Sequence, residues 1–101
     1  MIRKVVDTSE LEHWRALDAA FLLTVLCDYA KRDISFNPRA NHESTRWHVT
    51  AGGREFEILC TGCKFYDTQS GKGGAGAIDL AMHLLRVDFK DTVRLLREQG
   101  V

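Results

Sequence analysis

The sequence has no surplus of positive charge: 14 Lys and Arg stand against 14 Asp and Glu. Attraction of a polyanion by the molecule as a whole is therefore excluded, and any phosphate contact must come from the local arrangement of basic side chains. Proline is nearly absent, with 1 residue, and hydrophobic residues reach 45%. With no low-complexity tract, that composition excludes a disordered or fibrous chain. The longest apolar stretch, Ala19 to Cys27, is broken by Thr24 and is too short to span a bilayer. The first residues, MIRKVVDTSE, lack an apolar signal core. Only 3 cysteines occur, Cys27, Cys60 and Cys63. These absences lead to the expectation of a cytoplasmic protein with reduced thiols and no membrane partner. A cluster of carboxylates able to hold a metal ion is also missing, so the chain by itself is not expected to act as a stand-alone enzyme.

What is present fits one domain in 101 residues. Ser9-Glu10-Leu11-Glu12 has the form of a capping box, and the run after it predicts a helix to about Lys31. Leu11, Trp14, Leu17, Phe21, Leu22, Val25, Leu26 and Tyr29 recur on one helical face, and Lys31 and Arg32 suit its C-terminal end. Residues Asn37 to Asn41 predict a loop. Arg46 to Thr50 and Glu55 to Leu59 predict two strands joined at Gly52-Gly53, because Phe56 and Ile58 alternate with Glu55 and Glu57. Lys64 to Tyr66 predicts a third strand. Ser70 to Gly76 predicts a glycine-rich loop. A helix is expected from about Ala77 to Leu85, with Ile78, Ala81, Met82 and Leu85 on one face. A last helix is expected from Phe89 to Gln99, capped by Asp88 and stopped by Gly100. The expected fold class is α+β: a small three-stranded antiparallel sheet with one N-terminal helix and two C-terminal helices, all in one domain over residues 1–101.

Three groups of residues could carry chemistry. Cys60-Thr61-Gly62-Cys63 has the spacing with which two thiolates grip a tetrahedral zinc ion, and His42 and His48 lie upstream as further ligands. The alternative is that both cysteines are small residues on a strand and its turn. The loop Ser70 to Gly76 offers backbone N–H groups at a helix start together with Lys72, an arrangement suited to a phosphate. It is not a Walker A motif. Its alternative is a tight turn that packs the helix against the sheet. Trp47, Phe65 and Tyr66 interleave with Arg46, Arg54 and Lys64, as base stacking and phosphate contact require. Phe65 and Tyr66 are neighbours on a strand and point to opposite faces, so one is exposed when the other is buried. Trp14 and Trp47 are expected in the core. Asp67 and Asp79 are expected to cap turns, and His13 and His83 to lie in helices without partners.

The stretch from Lys64-Phe65-Tyr66-Asp67 through Gly71-Lys72-Gly73-Gly74-Ala75-Gly76-Ala77-Ile78-Asp79, followed by Asp88-Phe89-Lys90-Asp91, resembles the N-terminal zinc-ribbon domain of bacterial DNA primases. It is most similar to the divergent form found at the front of Toprim-containing proteins of mobile elements. The resemblance is specific only over residues 64–96. It implies a zinc-ribbon-like domain, the N-terminal part of a longer replication or mobilisation protein, that holds single-stranded template DNA. Arg46, Arg54, Lys64, Tyr66, Lys72, Gly73 and Gly74 are the residues expected at the DNA. The resemblance departs at the metal. Counting from His42 reaches Cys60 and Cys63, but puts Arg39 where the first cysteine belongs. Counting back from Ala77-Ile78 puts Thr68 and Gly71 at the cysteine positions. The second register needs no insertion, so a ribbon without zinc is expected. His42, His48, Cys60 and Cys63 are the ligands if the first register holds. A second function class stays open: an adaptor that docks a helicase or the Toprim/primase catalytic domain, recognisable by an exposed apolar face around Trp14, Leu17 and Phe21.

Overall fold

A computed structural model describes residues 6–39 and 42–101. Ala40 and Asn41 of the expected loop, and residues 1–5, lie outside the described residues. In chain order the elements are α1 (Thr8–Ala16), α2 (Ala19–Leu26), β1 (Tyr29–Arg32), β2 (Thr45–Ala51), β3 (Arg54–Thr61), β4 (Lys64–Asp67), β5 (Lys72–Ala75), α3 (Gly76–Leu85) and α4 (Phe89–Gln99).

The hairpin of β2 and β3 forms where its turn residues place it. Ala51 pairs with Arg54, and Gly52 and Gly53 between them take φ values of +57° and +76°. Two successive positive φ values define the tight turn whose twist matches the flanking strands. The last helix is also as expected: the Asp88 carboxylate accepts from the Asp91 N–H at 2.8 Å, and Gly100 ends it at φ +72°.

Among the described residues, the expected three-stranded sheet and three helices are corrected to a five-stranded antiparallel sheet, in the order β1-β2-β3-β4-β5, with four helices. Two local events account for the difference. First, the long N-terminal helix is divided. α1 is capped by Asp7, whose carboxylate accepts from Glu10 N–H at 2.7 Å, not by Ser9. Leu17 is extended, and Asp18 caps a second helix by accepting from Phe21 N–H at 3.0 Å. The apolar rhythm crosses this break because both helices turn toward one core, burying Trp14 from α1 and Ala19, Leu22 and Leu23 from α2. The chain then joins the sheet: Asp28 N–H donates to Thr50 C=O and Asp33 N–H to Arg46 C=O, both at 2.8 Å. These bonds flank β1, a four-residue strand too short to show alternation.

Second, the glycine-rich loop is partly a strand. β5 pairs along β4, with Phe65 opposite Gly74 and Tyr66 opposite Gly73. Glycine ordinarily weakens a strand, but aromatic cross-strand neighbours can cover it. A Cβ on Gly74 would lie 3.0 Å from Cε1 of Phe65, and one on Gly73 would lie 2.9 Å from the Phe65 carbonyl oxygen. Each glycine is thus the space that a ring or a backbone occupies.

All helices that touch the sheet lie on one side. α2 packs on β1, β2 and β3, and α3 packs on β5, α1, α2 and α4. Trp14, Leu22, Leu23, Ile58, Leu80, Leu84 and Leu96 are the largest fully buried apolar side chains. On α3 the buried face is Ala77, Leu80, Ala81 and Leu84, whereas Met82 of the expected face is 37% exposed. That helix is apolar on most sides, so its partners rather than its periodicity choose the face. Trp14 is in the core as expected and donates its indole N–H to the Val101 carbonyl at 2.9 Å.

Gly76 is where β5 becomes α3. Its φ is +86°, and a Cβ there would lie 2.9 Å from Arg15 Cα of α1. Gly53 has φ +76° but would meet nothing within 4 Å. Gly53→Ala should therefore cost about 1 kcal/mol, the strain of a left-handed alanine. Gly76→Ala should cost at least about 2 kcal/mol more, because a backbone contact must open. Urea denaturation of both variants checks this; equal costs would mean that the close approach carries no weight.

Candidate functional site

Alternation along the strands sorts the expected site residues onto two faces. Trp47, Val49, Ala51, Phe56, Ile58, Cys60, Phe65 and Asp67 lie on the helix side, and the fully buried strand residues all belong to this set. Lys31, Arg46, His48, Glu55, Glu57, Leu59, Lys64, Tyr66 and Gly73 lie on the other side. Among the described residues, no helix packs on that face.

On the open face the structure brings Lys64, Tyr66 and Gly73 together. Tyr66 is 45% exposed, whereas its neighbour Phe65 is 5% exposed, the split that strand alternation requires. The Tyr66 ring lies along β5: a Cβ on Gly73 would be 3.3 Å from its Cδ1, and one on Gly71 would be 3.7 Å from its hydroxyl oxygen. The ring thus reaches over space that side chains at Gly73 and Gly71 would fill, and it stays largely exposed. Arg46 is on the same face but is already engaged. It donates to Asp33 Oδ2 from Nε at 3.0 Å and from a terminal nitrogen at 2.6 Å, and its guanidinium covers the Phe36 ring at 5.1 Å. Hydrogen bonds from Ser35, Arg46 and His48 hold the Asp33 carboxyl well below the usual carboxylate range. Of the cations expected beside Tyr66, only Lys64 is both on this face and without an ion-pair partner among the described residues; Lys31 shares the face but lies on β1, three strands away.

Arg54, Lys72 and Gly74 are on the helix side, away from Tyr66. Arg54 donates to the Leu84 carbonyl at 3.0 Å and lies over the Phe56 ring at 5.2 Å. The turn between β4 and β5 is organised by Asp67, which is 3% exposed. Its Oδ1 accepts from the N–H groups of Gln69 and Ser70 at 2.9 and 3.2 Å, the turn-capping role expected of it. Its Oδ2 lies 2.7 Å from Nε2 of His83. An ionised carboxylate only accepts, so Nε2 carries the proton. His83, expected to have no partner, instead joins α3 to the sheet between the rings of Phe56 and Phe65. Sixteen residues separate Asp67 from His83, so no local pattern shows the pair. Asp79 accepts from the Ala75 N–H at 3.2 Å and helps to start α3.

The four expected zinc ligands are not gathered around one point. Cys60 is buried on the helix side of β3, whereas His48 is on the open face of β2, engaged with Asp33 at 3.3 Å. His42 is exposed in the segment before β2, and Cys63 is half-buried in the turn after β3. Burial, with Asp18 and Cys27 nearby, pushes the Cys60 thiol up to about 12, and a zinc ligand must be a thiolate. Among the described residues, no group of three or more His, Cys, Asp or Glu is placed to hold a metal ion. Trp47, expected in the core, is half-buried against it, with its indole N–H donated to Thr45 Oγ1 at 2.9 Å.

Among the described residues, no helix is long and apolar enough to cross a membrane. Compared with known protein families, curated proteins and solved structures, the chain matches none.

Burial pushes the Asp67 carboxyl up, but the hydrogen bonds from His83, Ser70 and Gln69 outweigh it and hold the group below its ordinary value of 3.8. A carboxyl lowered in the folded state stabilises fully above its unfolded value and loses that contribution as pH falls toward the folded one. Asp67→Asn should therefore be less stable than the parent by about 2 kcal/mol at neutral pH. The gap should close as pH is lowered from about 6 to about 2. Thermal melts across that range check it, and a gap independent of pH would show that the ionised carboxylate is not what matters.

Proposed function

We propose that this domain binds single-stranded nucleic acid, DNA by its resemblance to primase ribbons, through the uncovered face of its sheet. The observation that carries the reading is the exposed Tyr66 ring, which lies beside the side-chain-free positions Gly71 and Gly73. An exposed ring with no side chain crowding it from the neighbouring strand is open to a stacking base. Lys64, two residues along the same strand and on the same face, is placed to meet a backbone phosphate, and Lys31 adds a second cation at the far side of that face. Glu55 and Glu57 at the centre of that face, and Asp33 at the end of β1, oppose a polyanion. Together with zero net charge, they favour weak binding, micromolar or weaker. The reading needs no metal, and it places the domain in the cytoplasm, where its three free cysteines stay reduced. In a longer chain its role would be to present template strand to a Toprim catalytic domain or a helicase.

An adaptor is the second reading. The face expected to mark it does not exist as a unit, because Trp14 is 1% exposed while Phe21 is 48% exposed. What favours the adaptor is a different groove, between α1, α3 and the start of α4, lined by Leu11, Ile78, Met82 and Phe89.

Fluorescence anisotropy with a 5′-hydroxyl oligothymidine at low salt separates the two. Strand binding predicts a measurable affinity whose logarithm falls with log salt at a slope of about −1 to −2, for two or three phosphate contacts. Tyr66→Ala should weaken it about tenfold, and Tyr66→Phe should retain it. No binding at low salt, or full affinity in Tyr66→Ala, would remove the strand-binding reading.

A further inference from the structure

On the helix side of the sheet, a corner is left open between the turn after β4 and the last turn of α3. It forms a cavity of about 320 Å³, lined by Arg54, Phe56, Asp67, Ser70, Lys72, Met82, His83 and Arg86. Three permanent cations face it against one carboxylate, and that carboxylate is already bound by His83 and two backbone N–H groups. Among the described residues, neither Lys72 nor Arg86 has an ion-pair partner. Converging cations without acidic partners around a concave site leave a charge that an anion can satisfy.

Two details point the same way. Arg86 is the one non-glycine residue with positive φ among the described residues, at φ +53°. Glycine ordinarily takes this position after a helix, and a side chain there costs about 1 kcal/mol. An arginine anywhere in the last turn would complement the helix dipole; this one sits in the strained position and lines the cavity. The negative end of α3 opposes an anion, and two of its last carbonyls already accept hydrogen bonds. Arg54 donates to Leu84 C=O at 3.0 Å, and Arg86 N–H donates to Met82 C=O at 3.0 Å.

We propose that this corner is a binding site for a phosphomonoester. Arg54, held in place by Leu84 and the Phe56 ring, forms its floor, and Lys72 and Arg86 close on the phosphate oxygens. Ser70 supplies a hydroxyl at the rim. Met82 and the edge of Phe56 leave an apolar wall for the organic group, and the volume exceeds what a bare phosphate fills. The site lies on the opposite side of the sheet from Tyr66, so it stands or falls separately from strand stacking.

The test is an amide NMR titration of the whole chain at low salt, first with inorganic phosphate and then with ribose 5-phosphate. Saturable shifts should centre on residues 54, 70–72 and 83–86, with the sugar phosphate the tighter ligand. Arg86→Gly should raise or leave unchanged the melting temperature, since it relieves the left-handed strain, while weakening binding about tenfold. Lys72→Gln should weaken it similarly. Comparing 5′-phosphorylated with 5′-hydroxyl oligonucleotides then identifies the source. A preference for the phosphorylated strand that is lost in Arg86→Gly assigns a strand terminus. No such preference, with ribose 5-phosphate still bound, assigns a free metabolite. Shifts that do not saturate, or both variants binding as the parent does, would overturn the site.

Discussion

The fold depends on one close approach, the backbone of Gly76 against the backbone of α1 at Arg15. With no side chain, and at a positive φ, Gly76 lets the chain leave β5 and enter α3 without an intervening loop. Its N–H donates to the Cys63 carbonyl at 2.9 Å, so the same residue also ties the start of α3 to the β3–β4 turn. From that point α3 runs through the middle of the helical layer, touching α1, α2, α4 and the sheet. The outer helices are then tied to one another at a distance from the sheet: Arg97 of α4 donates to both carboxylate oxygens of Glu10 in α1 at 2.7 and 2.9 Å. These surface bonds each add little on their own. They join α4 to α1, the helix that the glycine already brings against the start of α3.

Placing every helix on one side leaves the sheet with two different surfaces. The covered side holds the core and, at its margin, the Asp67–His83 pair and the cations Arg54, Lys72 and Arg86. The open side holds Tyr66, Lys64, and a mixed population of Lys31, His48, Glu55 and Glu57. A chain without net charge cannot draw nucleic acid by its overall field, so local geometry has to supply recognition. The two sites proposed for this chain differ in kind. One offers an exposed aromatic ring and the other offers cations without ion-pair partners.

Much of this was legible in the residues, and the parts that were not share a physical cause. The Gly52-Gly53 hairpin, the division of Phe65 from Tyr66, and the limits of α4 between Asp88 and Gly100 each follow from neighbours within a few positions. The break at Leu17-Asp18 was also signalled, by an aspartate able to cap, but an unbroken apolar rhythm masked it because two helices share one core. β1 and β5 were not legible. One has four residues and pairs at a distance, and the other is rich in glycine and exists because Phe65 and Tyr66 cover it. At the candidate sites, residue type indicated which side chains were basic or aromatic. Only the fold shows that Arg46 is taken by Asp33, that Arg54 and Lys72 face away from Tyr66, that His83 meets Asp67, and that Arg86 belongs with them. Of the residues proposed for zinc, His48 and Cys60 are separated by the same alternation that sorts the rest of the sheet, while His42 and Cys63 lie in turns outside the strands.

The most direct measurement is a map of backbone amide shifts on adding a short 5′-hydroxyl single strand at low salt. The account predicts shifts concentrated in β4 and β5, at residues 64–66 and 73, with α1, α2 and α4 unmoved. Shifts confined to the groove of Leu11, Ile78, Met82 and Phe89, or none at all, would contradict a sheet face built for stacking.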